Sequence, residues 1–130
     1  VPISFFYGLR EALRLMEQEE GLENVFLRHT RLERAVRACV QHWSGNDGPR
    51  LFCETPSRLS DSVTAVLMPE GHNADALRGV AMNRYNVSLG GGLGPLGGNV
   101  FRIGHLGDLN EPMILGTLAS LELAMKVSGV

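Results

Sequence analysis

Four short strand patterns, arranged as two consecutive pairs, constrain the fold of this chain more than any other feature. The first pair is 51–53 (LFC) with 63–68 (VTAVLM), and the second is 87–89 (VSL) with 100–103 (VFRI). The joining segments are too short for the crossover that parallel strands need, so each pair is expected to run antiparallel.

Helical periodicity accounts for most of the remaining chain. The apolar stripe of the first helix is Phe6, Leu9, Leu13 and Met16. This helix is predicted over roughly 4–20, with Gly21 as its stop. A second, long helix is predicted from residue 22 to the turn formers at 44–49 (SGNDGP), which include Asn46. Asn73 and Asn110 are predicted to cap the third and last helices.

The resulting order, α-α-β-β-α-β-β-α, predicts the fold class. We expect residues 1–130 to form a single α+β domain, with a four-stranded antiparallel or mixed sheet and helices packed on one face. Hydrophobic residues make up 44% of the chain and charged residues 20%, as in ordinary globular domains.

Charge and hydropathy exclude several classes of partner. The net charge is −2 and the basic residues are scattered, so nucleic-acid binding is not predicted. No apolar run approaches the roughly 20 residues that cross a bilayer, and no signal peptide is apparent. The sequence therefore predicts a cytoplasmic protein with no membrane partner.

Cysteine, histidine and lysine give little support for chemistry within the chain. Cys39 and Cys53 lack CxxC spacing and are expected to be free thiols. The four histidines show no metal-ligand spacing, and we expect structural roles for His29 and His105. No metal site is therefore predicted, and any chemistry that needs a lysine Schiff base within this chain would have to use Lys126, its single lysine beside eleven arginines.

Glycine is concentrated in residues 90–107, which hold eight of the sixteen glycines. The letters of 92–97 (GLGPLG) satisfy GxGxxG, but a strand follows them where a dinucleotide site needs a helix N-terminus. Two interpretations remain open from the residues alone. The segment is a wide turn with positive φ angles, or its bare backbone approaches a ligand closely.

Arg102 is the most informative single residue. It alternates with Phe101 and Ile103 along the predicted fourth strand, so it faces away from their apolar side. An arginine there is either a solvated outer-face residue or a planar fork for a carboxylate, with room provided by the neighbouring glycines. Strand alternation alone leaves both alternatives open.

Several segments of the sequence resemble class V pyridoxal-phosphate (PLP) aminotransferases of the glyoxylate group, namely the serine–glyoxylate and alanine–glyoxylate aminotransferases. The resemblance spans essentially the whole chain, and GGLGP and FRIGHLG are its most specific parts. The matching segments, in order, are 7–13 (YGLREAL), 20–25 (EGLENV), 63–66 (VTAV), 91–95 (GGLGP) and 101–107 (FRIGHLG).

This resemblance implies a C-terminal small domain that covers a larger fold-type I domain in a homodimer. It implies that Arg102 holds the substrate α-carboxylate, with Gly92, Leu93 and Gly94 beside the substrate. The PLP lysine would then lie upstream of Val1, so we expect the full-length enzyme to bind PLP and this chain alone to be inactive. Phe5, like Phe6, would face the large domain and be exposed here.

The function that follows is transfer of an amino group from serine, or alanine, to glyoxylate by the full-length enzyme. The alternative from another class is a free-standing α+β module, not an enzyme, that binds a small carboxylate or a protein partner. The sequence upstream of residue 1 separates the two hypotheses.

Overall fold

The computed structural model describes residues 2–45 and 47–130, and it has the predicted order of helices and strands. Predictions that involve Val1 and Asn46 lie outside the described residues. The elements are α1 (Ile3–Arg14), a π-helical segment (Leu15–Glu20), α2 (Leu22–Ser44), β1 (Arg50–Leu51), β2 (Val63–Leu67), α3 (Ala74–Tyr85), β3 (Gly90–Gly91), β4 (Val100–Gly104) and α4 (Glu111–Ser128). Short 3-10 turns lie at Pro56–Arg58 and Gly94–Leu96.

The strands form one antiparallel sheet in the order β1-β2-β4-β3. Val63 of β2 lies opposite Gly104 of β4, and Leu67 lies opposite Val100. The predicted α+β class and antiparallel pairing are confirmed. β1 and β3 are the two edges, and each contains only two residues.

The third strand was predicted wrongly at 87–89. The Val87 amide bonds to Ala81 O at the end of α3, and Leu89 is buried in the core. Val87 and Leu89 resemble a strand in sequence because their apolar side chains pack on the core after the end of α3. Pairing with β4 begins only at Gly90. β1 is also shifted toward the N-terminus, although the Phe52 amide still bonds to Ala65 O at 3.0 Å.

The first helix differs from its prediction in type but not in extent. α1 ends at Arg14, a π-helical segment continues to Glu20, and the positive φ of Gly21 (83°) then ends the helix as predicted. Residues five apart are stacked on the wider π turn. The Arg14 guanidinium accordingly donates to Glu19 Oε1 at 2.7 Å.

The core lies between the sheet and three helices, α2, α3 and α4. Its largest fully buried apolar side chains are Phe101, Ile103 and Val66 from the sheet, Leu32, Val36 and Val40 from α2, Leu77 from α3, and Leu121 from α4. α1 contributes no buried residue, and Phe5 and Phe6 are 76% and 61% exposed, as expected.

The predicted caps of α3 and α4 are confirmed. Asn73 Oδ1 accepts the Asp75 and Ala76 amides at 2.8 and 3.0 Å, and Asn110 Oδ1 accepts the Met113 amide at 3.0 Å. Both helices end in left-handed residues, Asn86 and Gly129. No helix in 2–45 or 47–130 is long and apolar enough to cross a membrane.

Candidate substrate-carboxylate site

Arg102 lies in the middle of β4, on the sheet face opposite the helices. Its neighbours Phe101 and Ile103 are 0% and 1% exposed on the helix side, whereas Arg102 is half-buried. The residues directly across from it are Ala65 on β2 and Gly90 on β3. Because both neighbours are small, the floor around the guanidinium is open to a ligand.

The guanidinium of Arg102 is held at one nitrogen. Its Nε donates to Gly91 O at 2.9 Å. Among the described residues no carboxylate forms an ion pair with Arg102, and no acceptor bonds to Nη1 or Nη2. The two terminal nitrogens are therefore available to a planar anion, which they could bind through two parallel hydrogen bonds.

Glycine at position 90 gives the Arg102 side chain the space it occupies. A Cβ at Gly90 would be 3.1 Å from Arg102 Nε and 3.2 Å from Arg102 Cβ, closer than the great majority of real contacts. The missing side chain therefore allows the guanidinium to rest against the strand backbone.

The glycine loop after β3 is a tight turn. A Cβ at Gly92 would lie 2.0 Å from Leu96 O, so the backbone itself excludes a side chain there. Gly94 (φ 53°) begins the short 3-10 turn and Leu93 is exposed. The predicted positive φ is thus observed, and the loop leads into β4 with no helix N-terminus that could receive pyrophosphate.

The three loop residues predicted to bind substrate follow directly after the residue that bonds to Arg102. Gly92, Leu93 and Gly94 directly follow Gly91, whose carbonyl accepts the bond from Arg102. The loop therefore begins at the guanidinium. No hydrogen bond joins the Arg102 side chain to these three residues.

The two buried histidines have structural positions, as expected. His105 Nδ1 lies 2.9 Å from Asp61 O, which can only accept, so Nδ1 carries the proton and Nε2 accepts from the Thr64 hydroxyl at 2.9 Å. His29 is oriented in the same way, with Nδ1 on Val25 O at 2.7 Å and Nε2 accepting the Gly107 amide at 3.1 Å. The His29 side chain connects α2 to the loop at Gly107, and the His105 side chain connects β2 to the loop at Asp61.

Acidification is expected to destabilise the fold through His105. Burial lowers the pKa of His105 below its ordinary value of 6.5. The unfolded chain then binds a proton before the folded chain can, so the stability contributed by neutral His105 is complete above about pH 6.5 and declines as the pH falls through that range. Urea unfolding of the chain at pH 7.5 and pH 5 would measure this decline.

The control for this effect is His105→Asn, which retains a donor toward Asp61 O but does not titrate. This variant should be less stable at pH 7.5 and should lose less stability than the wild type between the two pH values. An equal loss in both proteins would contradict the assignment.

The remaining candidate residues form no hydrogen bond with the Arg102 side chain among the described residues. Cys39 and Cys53 are free thiols, and burial together with the Glu122 carboxylate raises the pKa of Cys39 to about 11. Lys126 is exposed near the end of α4. Within the described part of the chain no three His, Cys, Asp or Glu side chains converge as metal ligands.

A prominent cavity does not include Arg102 among its lining residues. It has a volume of about 760 Å³ and lies between the π-helical segment, α2 and two loops, with Met16, Phe26, His29, Asp61 and Leu106 among its lining residues. A smaller cavity of about 340 Å³ is lined by Arg78 and Leu89. Sequence reasoning missed Arg78, although an Asp-x-x-Arg pair at 75–78 in α3 was a visible signal.

Comparison with known proteins shows that this chain is similar to part of several enzymes. No protein-family model matches the chain. It is 46% identical to serine–glyoxylate aminotransferase of Methylorubrum extorquens over 129 residues, which are 99% of this chain and 31% of that protein. It is 50% identical to serine–glyoxylate aminotransferase of Hyphomicrobium methylovorum over 123 residues, which are 95% and 29%.

A solved structure is similar over the same extent. Pyridoxamine–pyruvate aminotransferase from Mesorhizobium loti superimposes with a TM-score of 0.88 at 35% identity, covering 99% of this chain and 32% of that one. The chain therefore belongs to the aminotransferase family. In particular, it is a homologue of serine–glyoxylate aminotransferases and spans about 30% of their length.

Proposed function

We propose that this chain is the C-terminal small domain of a PLP-dependent aminotransferase that moves an amino group from serine, or alanine, to glyoxylate. In this proposal residues 1–130 form one domain and a larger PLP-binding domain precedes them. Support comes from the homologues named serine–glyoxylate aminotransferase and from the match to about 30% of their length.

Arg102 is the proposed anchor of the substrate α-carboxylate. The observation that carries this proposal is a guanidinium whose Nη1 and Nη2 lack protein acceptors among the described residues, on a floor made of Gly90 and Ala65. Because Nε is already bonded to Gly91 O, the carboxylate would bind end-on through the two terminal nitrogens. The same nitrogens would hold the amino donor and then glyoxylate.

The glycine loop is proposed to line the substrate. The carbonyl that orients Arg102 belongs to Gly91, and the next residues are Gly92, Leu93 and Gly94. Of these three, only Leu93 has a side chain, and that side chain is exposed. A small α-amino or α-keto acid held by Arg102 would therefore meet main-chain atoms on this side.

The residues of this chain do not fit a PLP site of their own. Lys126, the single lysine, is exposed near the end of a helix and lines neither described cavity. When bound by the rest of the protein, PLP supplies the electron sink for amino-group transfer. The proposed contribution of this chain is to bind and orient the carboxylate, and we propose no proton-transfer or covalent role for its residues.

We further propose that the full-length enzyme is a homodimer in the cytoplasm. The family resemblance supports this assembly, and exposed apolar side chains on α1, including Phe5 and Phe6, are consistent with contact to further protein. Light scattering of the full-length protein and fractionation of cells would test the two statements.

The full-length protein is expected to show the visible absorbance of bound PLP and to convert serine and glyoxylate to hydroxypyruvate and glycine. The 130-residue chain alone should show neither property, and Lys126→Ala should leave the full-length activity unchanged because the cofactor lysine lies elsewhere. Both products are measurable by chromatography with serine and alanine as donors.

Two outcomes would contradict the proposal. One is a full-length protein that binds PLP but transfers an amino group to glyoxylate from neither donor. The other is a reading frame that starts near residue 1, with a product that binds acetate without PLP, as the free-standing module would.

A further inference from the structure

The glycine strand β3 lies between two guanidinium groups, one on each face. A Cβ at Gly90 would be 3.1 Å from Arg102 Nε, and a Cβ at Gly91 would be 2.8 Å from Arg78 Nη1. Gly90 is opposite Arg102 on the open face, whereas Gly91 is opposite Phe101, which is buried under the helices. Successive strand residues face opposite sides, so Arg78 crosses the helix-covered face.

Each of these arginines also bonds to a carbonyl of the same segment. Arg78 Nε donates to Leu89 O and Arg102 Nε donates to Gly91 O, both at 2.9 Å. β3 is an edge strand of two residues that pairs only with β4, so few backbone bonds hold it in place. Arg78 bonds to the carbonyl of Leu89, which lies two residues before Gly91. This bond is therefore a substantial part of what holds β3 in place.

Arg78 is itself held on a rigid element. Its Nη1 is 2.6 Å from Asp75 Oδ1, one turn earlier on α3. That helix is capped by Asn73 and packs into the core through Leu77, which is 1% exposed. A side chain fixed in this way can transmit the position of α3 to the glycine strand.

We propose that Arg78 is a positioning residue for the carboxylate site, because it holds β3 where Gly91 O orients the guanidinium of Arg102. This inference rests on the proposed role of Arg102. Arg78 does not touch the substrate. Without it, Gly91 O is no longer fixed, the guanidinium rotates more freely, and carboxylate binding weakens while the reacting groups elsewhere are unchanged.

The test uses the full-length enzyme with Arg78→Ala. The KM values for the amino donor and glyoxylate should rise by about 5- to 20-fold with kcat nearly unchanged, as expected for loss of a hydrogen bond from a charged group. Arg78→Lys, which can still donate to Leu89 O, should recover part of this increase. Arg84→Ala, an exposed arginine on the same helix with no ion pair among the described residues, is the matched control and should leave KM unchanged.

A second variant covers the case in which Arg78→Ala does not fold, as judged by its thermal unfolding and PLP absorbance. Gly91→Ala places a methyl group 2.8 Å from Nη1 and 3.2 Å from Cζ of Arg78, so the guanidinium must shift and KM should rise, by a smaller factor than in Arg78→Ala. If both variants fold, their effects should not multiply in the double variant. Independent, multiplying effects would overturn the proposal, and so would an unchanged KM in either single variant.

Arg102→Ala, measured in parallel, separates this inference from the proposed function. If Arg102→Ala raises KM strongly and Arg78→Ala does not, the anchor stands and the positioning role is wrong. If Arg102→Ala leaves KM unchanged, the anchor assignment fails and the positioning role fails with it.

Discussion

Arg102→Ala in the full-length enzyme is expected to lower kcat/KM by about 10²- to 10³-fold for both the amino donor and glyoxylate. The substitution removes the only two donors proposed for the carboxylate, which Gly90 and Ala65 cannot replace because they offer no side-chain hydrogen bond. Steady-state kinetics with serine and glyoxylate measure the loss. Bound PLP should remain, because the proposed PLP lysine lies outside this chain.

Two further variants make this prediction specific. Arg102→Lys keeps the charge but cannot bond to Gly91 O and present a planar fork at the same time, so it should recover only a minor part of the activity. Arg84→Ala removes an exposed arginine and should have no effect. A KM for both substrates that stays within about twofold of the wild type in Arg102→Ala would show that another group holds the carboxylate.

Gly92→Ala is expected to lower kcat/KM by about 10²-fold, because the loop beside Arg102 must move by roughly 1 Å or more to accept the new methyl group. The added Cβ would lie 2.0 Å from Leu96 O and 2.5 Å from Leu96 C, and a backbone carbonyl cannot rotate away as a flexible side chain can. Kinetics and PLP absorbance of the full-length variant measure the effect. The absorbance should be retained.

The matched control is Gly116→Ala on α4. A Cβ at Gly116 meets no atom within 4 Å, and alanine favours the helix by about 0.5–1 kcal/mol. This variant should therefore be fully active and slightly more stable than the wild type. Unchanged kinetics in Gly92→Ala would mean that the loop does not line the substrate.

Local sequence signals predicted most of the fold because the physical causes are local. Asn73 and Asn110 cap their helices within three residues of themselves, and Gly21 ends a helix through its own positive φ. Strand pairing is not local, and there the prediction failed at 87–89. The side chains of Val87 and Leu89 follow core packing, while hydrogen bonding to β4 starts at Gly90.

For the candidate site, too, some features followed from the sequence and others only from the tertiary structure. Alternation with Phe101 and Ile103 placed Arg102 on the open face, and the family resemblance proposed a carboxylate for it. Neither could reveal that its Nε is already bonded to Gly91 O, or that a cavity of about 760 Å³ lies elsewhere in the domain. The bond of Nε depends on the pairing of β3 with β4, which brings the Gly91 carbonyl to Arg102. The cavity depends on how helices and loops from different parts of the chain pack together.

For this protein, the sequence by itself determined the positions of the helices, the caps of α3 and α4 and the face of β4 on which Arg102 lies, because each depends on residues close together in the chain. Only the tertiary structure decided that β3 is a two-glycine edge strand between Arg78 and Arg102. Residues 78, 90–91 and 102 are far apart in sequence. The absence of a side chain at Gly90 and Gly91 has a meaning only once α3 and β4 have brought the two guanidiniums against them.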